Sequence, residues 1–153
     1  MIVWIMIAAV VLMCFQYRQR QTVKVLSDRL SRLLMEGRYD EFEELLNNRE
    51  TRMNLSDYNL QHLAFTKFVL QNRKTEADKI FDAMSGVRMN NTQKASFYSH
   101  AMPFYTKKDD KKRIDECYEQ ILAVNGFDEL KQSTEKMYRI LLCKSQCQVL
   151  VSD

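Results

Sequence analysis

An all-α fold is what this chain of 153 residues predicts, and three observations carry that expectation. Turn formers are scarce, with three Gly and one Pro, whereas sandwiches and barrels need many tight turns. From Gln21 onward, apolar residues recur at i, i+3, i+4 and i+7, the period of one helix face. All three glycines fall just past such stretches, where a left-handed cap costs glycine nothing sterically. Hydrophobic residues at 46% and aromatics at 10% exclude a disordered chain. A formal charge of +3 gives no footing for a nucleic-acid partner. The length suits one domain, or one domain plus an anchor.

The first element expected is a single transmembrane helix over residues 1–17. Met1 to Phe15 reads MIVWIMIAAVVLMCF, and no charge precedes Arg18. As an α-helix the run to Tyr17 would be about 25 Å long, against a hydrocarbon core of about 30 Å. Trp4 and Tyr17 suit the two interfaces, and Arg18 and Arg20 could snorkel. A cleaved signal is disfavoured, because nothing basic precedes the run and no small-residue cleavage site follows it. Residues 18–22 form a basic juxtamembrane segment. With Arg18, Arg20, Lys24, Arg29 and Arg32 after the run, the positive-inside rule puts the N-terminus outside and the rest in the cytoplasm. Membrane lipid is thereby an expected partner of the anchor.

The helices then follow in order through a domain expected over 23–150. Val23, Leu26, Leu30, Leu33 and Leu34 make the first stripe, and Gly37 supplies its stop. Tyr39 to Asn48 carries Phe42, Leu45 and Leu46, with four acids in or near its first turn. Ser56 reads as the N-cap of a helix reaching Gln71. The next runs from Thr75 to Gly86 and buries Ala77, Ile80, Phe81 and Met84. Thr92 opens another, which Pro103 should kink or shorten. Asp110 to Asn125 carries Ile114, Tyr118, Ile121 and Leu122 and closes at Gly126. A last, longer helix starts at Asp128.

These helices come in pairs that repeat. Phe42, Ala77 and Ile114 stand at matching places in second helices, 35 and 37 residues apart. Leu60, Leu63 and Ala64 match Phe97, His100 and Ala101 in first helices. Over residues 22–125 the chain resembles the tetratricopeptide repeat (TPR) family, whose period is about 34 residues. The resemblance implies a right-handed array of about three helix hairpins plus a C-terminal capping helix. It also implies a concave groove for a protein or peptide partner, lined here by Lys24, Ser27, Tyr58, Gln61, His62, Phe65, Tyr98, Ser99 and Met102. Because Lys24 is the one basic residue among those positions, a carboxylate clamp of the chaperone-tail type is disfavoured.

Motifs of catalysis are missing from the chain. There is no phosphate-binding glycine loop, no H-E-x-x-H and no C-x-x-C. Cys143 and Cys147, four apart, lack further ligands nearby in sequence, and reduced thiols are expected in the cytosolic domain, with Cys14 in the anchor. The run Lys107 to Arg113 reads as a charged turn. No cofactor is expected, and the function expected is non-enzymatic: a membrane-anchored adaptor or assembly factor that presents its groove to cytosolic partners. The alternative is a helical enzyme or small-ligand-binding domain without a recognisable motif.

Overall fold

The structure is a computed structural model that describes the backbone of residues 2–151; side chains at 1–5, 7–11, 15 and 144–153 lie outside the described residues. The all-α class holds, since every described element is a helix. In chain order these are α1 (Ile2–Met35), α2 (Tyr39–Asn47), α3 (Arg49–Asn54), α4 (Asp57–Leu70), α5 (Lys74–Met84), α6 (Asn91–Lys107), α7 (Lys111–Ala123) and α8 (Asp128–Val151).

The expected anchor is overturned. Among the described residues, no helix is long and apolar enough to cross a membrane. The apolar run is not an element of its own but the front of a 34-residue helix, which continues unbroken through Arg18, Arg20, Lys24, Arg29 and Arg32 to Met35. Apolar sequence before the first charge covers only about 25 Å, short of the hydrocarbon core. The single-pass topology, the outward N-terminus and the cytoplasmic placement all depended on that span, and they go with it.

The chain divides into two compact units, Met1–Val87 and Arg88–Asp153. In the first, α1 packs on α2, α3 and α4, and α4 pairs with α5. Leu30, Leu33, Leu34, Phe42 and Leu55 form its buried centre, flanked by Val23, Tyr39, Leu45, Leu46, Leu60 and Leu63. Burying one such side chain contributes about 1.5–3 kcal/mol. Phe65 of α4 meets Phe81 of α5 with ring centroids 6.5 Å apart. In the second unit α6 pairs with α7, and α7 with α8. Ala101, Met102, Tyr105, Cys117 and Ile121 are buried there.

The hairpins α1–α2, α4–α5 and α6–α7 close by one recurring turn. Gly37, Asn72 and Asp109 each take the left-handed conformation, at φ 71°, 59° and 55°. In each case two backbone bonds cap the preceding helix. Arg38 N donates to Leu33 O and Gly37 N to Leu34 O; Arg73 N to Phe68 O and Asn72 N to Val69 O; Asp110 N to Tyr105 O and Asp109 N to Thr106 O. This is the Schellman pairing, which satisfies carbonyls that a helix end leaves open. The next residue starts the second helix with nearly constant angles: φ −85°, ψ 66° at Arg38, φ −91°, ψ 88° at Arg73 and φ −89°, ψ 84° at Asp110. Its side chain then ties to the residue three further on. Arg38 pairs with Glu41 and Arg73 with Glu76, while Asp110 accepts from Arg113 N. Phe42, Ala77 and Ile114 follow five residues after each left-handed position, and all three are buried.

Other expected helix ends shift for local reasons. Asn90 caps α6 in a reciprocal box with Gln93. Pro103 faces solvent, and α6 is not shortened there but runs on to Lys107. Gly86 lacks the left-handed conformation that Gly37 and Gly126 adopt. The charged stretch from Lys107 to Arg113 spans the third turn and the helix ends that flank it, with Arg113 also paired to Glu116.

Candidate functional site

A cleft of about 250 Å³ opens in the first unit where α2, α3, α4 and α5 meet. Leu46, Leu60, Ala64 and Ile80 supply apolar surface. Asn47, Arg52, Asp57 and Gln61 supply the polar groups. The local sequence explains why the four helices meet here. Asn48 ends α2 and, through its side chain, accepts from Glu50 N to start α3. Ser56 accepts from Asn59 N to start α4, which sets Asp57 in its first turn beside the cleft. The short α3 therefore brings the exposed Arg52 to the cleft wall.

Beside the cleft, an ion pair joins α4 to α2. The Lys67 side chain is 6% exposed and donates to Glu43, which is 54% exposed. The Lys67 ammonium also lies 5.0 Å from the Phe68 ring centroid, and Arg73 lies 5.5 Å from that centroid. Both distances fall within the range of cation–π attraction.

The nine expected groove residues are divided between the two units. Lys24, Ser27, Tyr58, Gln61, His62 and Phe65 fall in the first unit; Tyr98, Ser99 and Met102 fall in the second. Gln61 alone lines the cleft. Lys24 is exposed, and Ser27 and His62 are half-buried. The His62 ring sits 5.4 Å from that of Tyr58. Tyr58, Phe65, Tyr98 and Met102 are buried core residues rather than exposed anchors. The reason is physical: α4 is covered by α1 as well as by α5, so more of its circumference is used than one apolar stripe suggests. On α6, buried positions from Ala95 to Tyr105 take up about half the circumference. Ser99 is half-buried, and its hydroxyl donates to Ser96 O within α6.

Titratable groups perturbed by the fold lie elsewhere. Burial pushes the Cys117 thiol up to about 12, assisted by Glu116. Burial lowers His100 below its usual value and raises Tyr98 above its own. A hydrogen bond to Asp115, followed by burial, brings Tyr138 up to about 12. The thiols of Cys14 and Cys143 are exposed and unbridged, and the Cys147 side chain lies outside the described residues. Among the described residues, no three His, Cys, Asp or Glu side chains cluster as metal ligands would.

The cleft lining carries no His, Cys or Ser, and its charged groups are Arg52 and Asp57. What it offers is an apolar hollow with two carboxamides and a charge of each sign. Sequence reasoning found Gln61, Leu46, Leu60, Ala64 and Ile80 as helix residues but missed Arg52, because six residues of α3 are too few to show a period. The chain matches no protein-family model, no characterised protein and no solved structure.

Proposed function

We propose that this protein is a non-enzymatic interaction module, a TPR-like array of α-hairpins that holds a segment of a partner protein as an adaptor or assembly factor does. The cleft of the first unit receives an apolar side chain of that segment. Asn47 and Gln61 each offer a donor and an acceptor to the segment's backbone amides, while Arg52 and Asp57 orient its polar flanks.

The observation that carries this reading is the cleft's size and lining. Pockets for small molecules and cofactors run to about 300–1,000 Å³ and close over most of the ligand. At about 250 Å³ this one is smaller, and it suits one side chain better than a nucleotide or flavin. Interaction surfaces of this kind take energy from a few apolar anchors and specificity from a polar rim. The recurring turn supports this reading, since three hairpins each close by the same local pattern.

The test fills the hollow with apolar atoms. A photo-cross-linking residue at position 61 identifies the captured segment, and Ala64→Leu then narrows the cleft without adding charge. Capture should fall tenfold or more, about 1.4 kcal/mol, while the melting temperature stays within a few degrees. Unchanged capture by the filled variant would move the site away from this cleft.

A further inference from the structure

Tyr118 of α7 and Tyr138 of α8 lie face to face, with ring centroids 4.0 Å apart and planes 7° from parallel. Aromatic pairs in proteins more often sit about 4.5–7 Å apart, offset or edge-on. A hydrogen bond accounts for the close fit. The Tyr138 hydroxyl donates to Asp115 Oδ1 at 2.7 Å, and Asp115 precedes Tyr118 by three residues on the same helix face. The carboxylate therefore draws one phenol over the other. Both rings are half-buried, so reagents in solution can reach their edges.

We propose that Tyr118 and Tyr138 form an oxidative modification site, at which a one-electron oxidant of the peroxidase class joins α7 to α8 through a dityrosine bond. Tyr138 gives up an electron while its hydroxyl proton passes along the hydrogen bond to Asp115. Tyr118 gives up the second electron, and its proton goes to solvent. The two phenoxyl radicals pair their electrons in one carbon–carbon bond, between ring positions ortho to the oxygens. The two ortho hydrogens move to the phenolic oxygens, and both rings become aromatic again. In balance, two tyrosines lose two protons and two electrons, and one hydrogen peroxide accepts them to become two waters.

Two features favour this pair over other tyrosines. The rings are already in contact, so coupling is intramolecular and its effective concentration is high. With its hydroxyl held protonated up to about 12, Tyr138 must release a proton along with its electron, and Asp115 stands at that proton. Tyr17, by contrast, is exposed on α1.

The experiment treats the full chain, at high dilution, with a peroxidase and hydrogen peroxide, followed by proteolysis and mass spectrometry. A peptide pair holding Tyr118 and Tyr138, lighter by two hydrogen atoms and showing dityrosine fluorescence, is expected. Tyr118→Phe should abolish it, Asp115→Asn should slow it, and Tyr39→Phe should leave its yield unchanged, with circular dichroism the same in all. No Tyr118–Tyr138 pair in the oxidised wild-type chain, or full fluorescence from Tyr118→Phe, would overturn the assignment.

Discussion

Lys67 of α4 and Glu43 of α2 form an ion pair whose lysine end is buried and whose glutamate end stands half in solvent. The asymmetry decides what each partner contributes. Burying an ammonium costs several kcal/mol unless it is compensated, whereas a half-exposed carboxylate keeps much of its hydration. Glu43→Gln removes the counter-charge and leaves the ammonium in place, so it should destabilise the first unit by about 1–3 kcal/mol. Lys67→Met removes the buried charge at similar volume and should stay within about 1 kcal/mol of wild type. Urea melts of the two variants check the order; a larger loss from Lys67→Met would mean that the pair itself stabilises the fold.

The turn at Gly37 offers a second, cleaner comparison. A Cβ built there would meet nothing within 4 Å, so any cost of Gly37→Ala is backbone strain at φ 71° alone. That cost should be about 1 kcal/mol. Gly86 has no such φ, and its nearest neighbour to a new Cβ is Ala83 O at an ordinary 3.6 Å. Gly86→Ala should therefore be neutral, or stabilising by about 0.5 kcal/mol through the unfolded chain. Thermal melts of the pair should diverge in that direction.

His100 gives the pH dependence its sign. Burial lowers its pKa below 6.5 in the folded chain, so the unfolded chain binds the proton more readily. Stability from this group is complete above the unfolded value and is lost as pH falls through the window beneath it. The slope cannot exceed about 1.4 kcal/mol per pH unit for one proton. His100→Gln should flatten the fall in denaturation midpoint between about pH 7 and about pH 5. An unaltered profile would assign the acid sensitivity to carboxylates instead.

How much of this was legible in the sequence depends on the scale of the signal. Helices with three or more turns declared themselves by period, and Ser56 by its capping chemistry. The spacing of Phe42, Ala77 and Ile114 located the repeat, yet the left-handed residues five places earlier went unread at Asn72 and Asp109. Glycine is the strongest mark of that conformation, but Asn and Asp also tolerate it because their short side chains bond locally. The buried Tyr58, Phe65, Tyr98 and Met102 were misplaced for another reason. A single sequence shows which side of a helix is apolar but not how many neighbours share it. The cleft was invisible because it needs α3, whose six residues carry no period. The apolar run before Arg18 misled by composition: hydropathy marked a segment, and the backbone made it half of one long helix.

Cys117 makes the second unit its own reporter. Its thiol is fully buried and held up to about 12, so neither access nor ionisation favours an alkylating reagent. Alkylation must wait until α6 and α7 part, and its rate then measures how often that hairpin breathes. Cys143, exposed on α8, and Cys14, exposed on α1, react without that delay and serve as internal clocks. A drug, peptide or oxidative staple that quiets the second unit should thus be read as slower labelling at one sulfur, with no probe added to the protein.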